Sequence, residues 1–267
     1  DQEGRQLGLE IESIGGKRQP PRTPRQDADK IVACLELHIE QADRLETNQT
    51  DIGVVTDIPG ISRYAIKVMG RAGHSGTTRM PDRQDALVAA SEVITTAQDT
   101  GIAIAEQDNK HFVATIGRID VYPNGAATVP GEVNMVLDLR ASHEHSRDEF
   151  LKQLQTRCML ISKNRSCKIE MELISNASVA VMDNELRQRL SHAANSLNLS
   201  HIDLSSGAGH DMVHLSRIAP AAMVFIPCKD GLSHCPEELA TPEAIAKGSA
   251  VLARTILALA SDEPNNE

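Results

Sequence analysis

The histidines of this chain stand in settings that permit different chemistry. His38, in ELHIEQ, closes an apolar run with Glu36, Glu40 and Gln41 beside it. An imidazole among carboxylates at a strand end suits a metal ion, and the competing account is a histidine bonded to a backbone carbonyl. His234, in GLSHCPEE, has the same two readings, with Glu237 and Glu238 available as ligand or orienting partner. His74 lies in GRAGHSGTTRMPDRQDA, between a strand and a helix. Gly70, Gly73 and Gly76 let the backbone turn there and leave the ring accessible; the alternative is a loop histidine capping the helix. Arg140, ending LDLR, has the fork that grips a carboxylate through two parallel hydrogen bonds, or pairs with Asp138. The loop SGAGHD can place backbone N–H groups near an anion, the alternative being one of the abundant short glycine-rich loops. His201 and Asp203 form an H-x-D in a connector after a helix and are set aside as ligands, and His143 and His145 read as polar residues capping a helix start.

Positioning these groups requires strands and turns in a definite order. IVACLELHI, residues 31–39, reads as a buried strand with its polar groups at the end, and IGVVTDIPGIS breaks at Pro59 and Gly60. From Arg63 the pattern is regular. RYAIKVMG alternates as a strand, PDRQDALVAASEVITTAQD has helical periodicity, HFVATIGRIDVY and GEVNMVLDLRA are strands, SRDEFLKQLQTRCMLIS is a helix and CKIEMELIS a strand. That βαββαβ order predicts a ferredoxin-like domain over 63–175, a four-stranded antiparallel sheet with two helices on one face. A helix at 184–197, the loop LSSGAGHDM, the strand AAMVFIPC, the loop KDGLSHCPEE and a helix from Pro242 to Ala260 follow. They predict an α/β layer shared by 1–62 and 176–267, with the smaller domain inserted. GGKRQPPRTPRQDAD reads as an exposed connector.

Composition narrows the partners. The 267 residues carry 27 Lys+Arg against 37 Asp+Glu, a net charge of -10, which repels a phosphate backbone or an anionic membrane surface. Two Tyr, three Phe and no Trp leave little for base stacking. The apolar runs read as too short to cross a bilayer. Five cysteines without a CxxC pair point to reduced thiols and a cytoplasmic location. The chain opens on Asp1 rather than Met, so a fragment or a processed product is expected.

ELHIEQ, IGVVTDIPG, GRAGHSGTTRMPDRQDAL, GRIDVYPNGAATVPGEVNMVLDLR, SGAGHD and GLSHCPEE occur in this order. Order and spacing together resemble the hydantoinase/carbamoylase branch of the M20 metallopeptidase-like amidohydrolases. That branch includes N-carbamoyl-L-amino-acid hydrolases and allantoate amidohydrolases, and the resemblance runs from about residue 1 to 260. It implies a catalytic α/β layer carrying a lid and dimerisation domain, and two divalent metals per site, Zn or Mn, with Co or Ni as alternatives. His38 resembles a ligand of one metal and His234 a ligand of the other. Gln41 resembles a residue touching substrate near the metals, Arg140 the lid arginine holding the substrate carboxylate, and Gly209 a backbone contact to the same group. His74 resembles the lid histidine that reaches the partner subunit's site and steadies the oxyanion. The implied reaction is metal-assisted hydrolysis of a ureido or N-carbamoyl bond in a small carboxylic acid, in a homodimer joined through the lid, without nucleic acid or membrane.

Departures from the pattern set the alternatives. Nothing in residues 1–37 matches the H-x-D block, bridging aspartate and Glu-Glu pair that the family carries ahead of HIEQ. The chain is therefore expected to be the C-terminal part of such an enzyme, with two-metal binding impaired and its own catalytic competence an open question. PNGAATVPG keeps Asn124 but has Ala127 where a second asparagine is usual, Ala42 follows HIEQ in place of Gly, and Arg79 replaces Pro before Met80. The rivals are a truncated or degenerate paralogue that only dimerises through its lid, and a small-carboxylate binding protein using Arg140 and the Gly209 loop.

Overall fold

Two patterns of alternating side chains build the two four-stranded sheets. The computed structural model describes residues 6–17, 30–108 and 111–262. The chain forms two units, Asp1–Val32 and Ala33–Glu267. In the first, α1 (Leu7–Ser13) ends where Gly15 turns left-handed at φ +85° and the Gly16 N–H reaches back to the Ile11 carbonyl at 2.8 Å. The predicted connector lies, from residue 18 onward, outside the described residues. The second unit begins with β1 (Cys34–Ile39), α2 (Arg44–Thr47), β2 (Ile52–Val55), β3 (Asp57–Ile58), β4 (Gly60–Met69) and β5 (Gly73–His74). It continues through α3 (Ala86–Gln107), β6 (Phe112–Tyr122), β7 (Thr128–Val129), β8 (Glu132–Ala141), α4 (Glu144–Arg165) and β9 (Lys168–Ala177). It ends with β10 (Ala180–Val181), α5 (Asn184–Ser196), β11 (His201–Leu204), α6 (Met212–Leu215), β12 (Ala221–Ile226) and α7 (Pro242–Asp262).

One sheet has the order β6-β8-β4-β9 with every neighbouring pair antiparallel. With α3 and α4 as crossovers this is the ferredoxin-like arrangement predicted. Along β8 every second residue, Val133, Met135, Leu137, Leu139 and Ala141, is buried against Ala89, Val93, Phe150 and Leu154 of the two helices. Asp85 starts α3 by accepting the Leu87 and Val88 N–H groups at 3.0 and 3.2 Å. The helix runs past its predicted end at Asp99, because Ile104 has a buried place in the core that outweighs the poor propensity of Gly101. β4 begins at Gly60, three residues ahead of the predicted start at Arg63, since its pairing with β8 already holds at Gly60 and Ala141.

The other sheet is mixed, with the order β1-β12-β2-β11. β1 runs parallel to β12 and β11 parallel to β2, while β12 and β2 are antiparallel. Both faces are covered. Ala222, Val224 and Ile226 pack with Ile52 and Val54 among residues of α5 and α7, and Ala221, Met223 and Phe225 pack with Leu45 and Met212 on the opposite face. In β1, Leu35, Leu37 and Ile39 join the helix-covered face. Period-two geometry then sends Glu36 and His38 to the face that holds Phe225. The reading of 31–39 as one buried run is corrected accordingly: all six residues of β1 are half-buried and the strand alternates.

Two other expectations change. His201 and Asp203 lie on β11, a strand rather than a connector, and Asp203 pairs with Arg187 at 2.5 Å. The apolar runs are not all short: Pro242–Ser261 within α7 is long and apolar enough to span a bilayer, with mean hydropathy 1.4. Packing of α7 against β1, β12 and α5 accounts for part of that apolar surface.

Candidate metal centre

On the Phe225 face of the mixed sheet, Glu36 and His38 from β1 meet His210 from the loop after β11. Their ligand atoms, one from each residue, lie within 4.8 Å of one another. The His38 and His210 rings meet edge to face with centroids 4.6 Å apart, and Phe225 walls the group at 5.4 Å from His210 and 6.3 Å from His38. Burial raises the Glu36 carboxyl above its usual range, with His38 pulling it back and Asp211 adding to the rise. Burial, aided by the His38 ring and opposed by Asp211, pushes His210 down to about 4, so this imidazole is neutral at ordinary pH. Glu36 Oε2 is buried without a hydrogen-bond partner. Two imidazoles and a carboxylate with an unsatisfied buried oxygen fit a first-row divalent cation.

The neighbouring carboxylate has a different task. Glu40 is buried and accepts the Arg44 Nε–H and the Leu45 N–H, each at 2.8 Å, which holds the first turn of α2. The next residue, Gln41, adopts φ +58° and donates from Nε2 to Ser233 Oγ at 2.9 Å. That bond ties the HIEQ segment to the loop of His234. Ser233 in turn donates to Glu238 at 2.7 Å, and the His234 N–H reaches the same oxygen at 3.2 Å. These bonds, with the His234 and His38 rings nearby, hold the Glu238 carboxyl below its usual range. Gly231 is required here, because a Cβ would sit 2.9 Å from the Ala42 carbonyl carbon and the Asp43 nitrogen. His234 itself is exposed at φ +59°, outside the three-residue group.

Arg140 lies where the two sheets approach. Its Nε donates to Asp138 at 2.8 Å and its Nη1 to the Gly207 carbonyl at 3.1 Å, so it holds its predicted structural partner and the SGAGHD loop together. Arg63 occupies the second oxygen of Asp138 at 2.9 Å. Gly209 sits beside Ile61 in the same loop, with room for a Cβ at 3.5 Å. His111 was absent from the sequence reading and lies beside Gly207. Its ring is held below the usual histidine range by burial and by Arg44 and Arg140, against Asp57, and its Nε2 is buried without a partner. Beneath it, Ser205 donates to Asp57 at 2.7 Å and meets Ser142 Oγ at 2.7 Å, a polar bridge between the sheets.

His74 stands apart on β5, exposed, its Nδ1 accepting the Gly76 N–H at 3.0 Å and leaving Nε2 open. The Ser75 N–H bonds to the Ala127 carbonyl at 2.9 Å, so the loop with the unexpected alanine directly supports the histidine loop. Among the described residues no hydrogen bond or ring contact joins His74 to the Glu36 group. The expected capping by His143 is corrected: its side chain makes no cap bond and instead meets Asp108 at 3.1 Å, while Ser146 also donates to Asp108.

Of the predicted residues, His38 enters the metal group, Gln41 and His234 share a neighbouring loop pair, Arg140 and Gly209 flank the His210 loop, and His74 is separate. The sequence reading passed over Glu36 and His210 as ligands. The alternation Leu35, Glu36, Leu37, His38 carried the signal for the first, whereas SGAGHD was read for its backbone rather than for its imidazole.

Comparison with known proteins adds independent findings. The model of peptidase family M20/M25/M40 matches residues 10–258. An N-carbamoyl-L-amino-acid amidohydrolase of Paenarthrobacter aurescens is 34% identical over 259 residues, 97% of this chain and 62% of that protein. An allantoate amidohydrolase of Escherichia coli (strain K12) is 33% identical over 240 residues, 90% of this chain and 57% of the relative. The crystal structure of an amidase of the hydantoinase/carbamoylase family from Burkholderia multivorans superposes with a TM-score of 0.84 at 34% identity, covering 99% of this chain and 62% of its own. The chain spans about half to three fifths of the length of the curated relatives it matches.

Proposed function

The chain belongs to peptidase family M20/M25/M40, and from that premise we propose that it serves the metal-dependent hydrolysis of a ureido or N-carbamoyl bond in a small carboxylic acid, such as an N-carbamoyl amino acid or allantoate. The observation that carries this reading is the convergence of Glu36, His38 and His210. A bound divalent ion, Zn or Mn, or Co or Ni in their place, supplies a polarised carbonyl and an acidified water. His38 would hold one ion and His234 a second. The described residues of this chain supply a three-member ligand group for the first only. Arg140 keeps free N–H groups beyond its bonds to Asp138 and Gly207 with which to grip the substrate carboxylate, and Gly209 borders the same space. Gln41, fixed by Ser233, touches the substrate near the ions, and Nε2 of His74 steadies the oxyanion in a partner subunit.

The domain over 63–175 is the lid and the dimer contact. β9 is an edge strand with Leu173 and Ile174 exposed, and α4 exposes Met159 and Leu160. Sedimentation at tens of micromolar is expected to show a dimer, and a strictly monomeric species removes the cross-subunit role of His74. The five free thiols suit a cytoplasmic location.

A second reading, a non-catalytic paralogue that dimerises, is favoured by Ala127 and by the engagement of Glu40 in α2, which leaves that carboxylate unfree as a base. The test is ammonia release from allantoate and N-carbamoyl amino acids by the 267-residue chain supplied with Zn, Mn, Co or Ni, together with calorimetric binding of the same acids. Turnover that requires metal and falls in Arg140→Ala supports the first reading. Neither binding nor turnover in a chain that dimerises selects the second, and binding without turnover points to a small-carboxylate binder. Turnover that survives chelation overturns the metal-dependent assignment.

A further inference from the structure

A cavity of about 680 Å³ lies between the two four-stranded sheets beside β11, and none of Glu36, His38, His210, Arg140 or Gly209 lines it. Arg44 of α2, Arg187 of α5 and Asp203 of β11 reach it from the mixed sheet, and Ala105 of α3 and His111 ahead of β6 reach it from the antiparallel one. The carboxylates at its wall are already engaged. Asp203 accepts from Arg187 Nη2 at 2.5 Å, and Asp108 accepts from Ser146 and meets His143. The donors are not used up. Arg44 spends Nε on Glu40 and Nη2 on the Ser205 carbonyl, which leaves Nη1. Arg187 Nε and His111 Nε2 are buried without a hydrogen-bond partner, and a ligand oxygen would recover the free energy that an unmet buried donor costs. The chain carries a net charge of -10, yet the field at His111 has the opposite sign. After burial, Arg44 and Arg140 are what hold this ring below the usual histidine range, against Asp57 alone.

We propose that this cavity binds a small aliphatic carboxylate, with its oxygens among the N–H groups of Arg44, Arg187 and His111 and its hydrocarbon against Ala105 and Ile202. Guanidinium forks match a carboxylate, and a neutral imidazole has one N–H to add. Ala105 is exposed and Ile202 half-buried, so the apolar wall is open to the ligand's chain. Arg187 Nε and His111 Nε2 are shielded from water in the empty cavity, so a side-chain rotation accompanies binding. The site is separate from the carboxylate grip assigned to Arg140 and holds whatever reaction the chain serves. Its walls come from α3 on one side and α2 and α5 on the other, so an occupant joins the two regions and raises the melting temperature by mass action.

Calorimetry with 4-methylpentanoate on the metal-free Arg140→Ala chain isolates this cavity from the other carboxylate grip and from any ion. One molecule per chain is expected. Adding Arg187→Ala should weaken binding by about tenfold or more, the usual consequence of losing a charged hydrogen bond, and Arg187→Lys should be milder. Ala105→Glu places a carboxylate of the chain's own in the cavity, so it should abolish binding while the protein melts no lower than its parent. In the metal-free parent chain the His111 ring resonances, identified by their loss in His111→Gln, should move as the carboxylate is added, and Ala105→Glu should stop that movement. Inorganic phosphate, which has no hydrocarbon for Ala105 and Ile202, should bind more weakly. No binding, binding that a folded Ala105→Glu chain retains, or binding that leaves the His111 resonances in place overturns the proposal. Phosphate bound as tightly as the carboxylate overturns the aliphatic ligand. The metal-dependent reading rests on other residues and survives each of these outcomes.

Discussion

The strands of the β6-β8-β4-β9 sheet are ten or eleven residues long, and those of the β1-β12-β2-β11 sheet four to six. The long sheet buries one face under α3 and α4 in a continuous apolar core. The short sheet is covered on both faces, yet its edge strand β1 places Glu36 and His38 among apolar neighbours. Polar groups in the first region sit at its margin, as with Asp138 between Arg63 and Arg140. In the second they are sunk into the layer. The contrast separates a region whose residues are chosen for packing from one that gives up apolar contact to expose ligand atoms.

The largest expected effect tests that separation directly. Phe150 is fully buried in the long sheet's core, and Phe225 is fully buried beside His38 and His210. Either change to Ala should cost about 3–5 kcal/mol in denaturant unfolding. Only Phe225→Ala should also weaken cobalt binding, because its ring walls the ligand group. Equal loss of cobalt affinity in Phe150→Ala would mean that the two sheets are not independent in this way.

Next in size is Arg140, which joins the regions through Gly207. Loss of a charged hydrogen bond is worth about 1.5–3 kcal/mol, so Arg140→Ala should weaken binding of an N-carbamoyl amino acid tenfold or more. Arg140→Lys keeps the charge without the fork and should be milder. Cobalt affinity should fall much less, because Arg140 ties the His210 loop through Gly207 without supplying a ligand atom. A lowered melting point with carboxylate binding intact would reduce Arg140 to the partner of Asp138 and Gly207.

The same contrast explains what the sequence revealed. The long sheet was readable because RYAIKVMG and GEVNMVLDLRA alternate over eight or more residues and helical segments separate the strands, so strand order followed from connectivity. Gly101 misled the reading of α3, since packing of Ile104 is a tertiary effect. The short sheet was harder. Six residues of β1 mix Leu with Glu and His, and an apolar average over 31–39 hides the alternation. His210 became a ligand candidate only through the fold, because β1 and its loop are some 170 positions apart and meet through β12. The roles of His74 and Gln41 rest on resemblance, and a single chain provides neither a partner subunit nor a substrate to place them.

The bridge between the sheets gives a smaller effect. Ser205→Ala removes the donor to buried Asp57 and the partner of Ser142, which leaves two buried oxygens short of a bond. About 1–3 kcal/mol of stability should be lost. If Asp57 and Ser142 fix the approach of the sheets, carboxylate binding through Arg140 should weaken in parallel, while a loss of stability alone would make the bridge a packing detail.

The smallest effect compares a helix from each region. Asp85 caps α3 through two N–H groups at 3.0 and 3.2 Å, and Asp183 caps α5 through the Leu186 N–H at 2.9 Å. Replacing an acidic cap by Ala typically costs about 1 kcal/mol. Two acceptances against one make Asp85→Ala the costlier, and the Asp183 N–H, bonded to the Ala221 carbonyl at 2.8 Å, still holds the start of α5 against β12 after its side chain is gone. Asn retains the acceptor at either position and should recover most of the loss. Neither cap touches Glu36, His38 or His210, so cobalt affinity should be the same in all four variants. If Asp183→Ala weakens cobalt binding while Asp85→Ala does not, the helix-covered face of the short sheet is coupled to its ligand-bearing face, and the ligand geometry then depends on α5 as well as on β1 and the His210 loop.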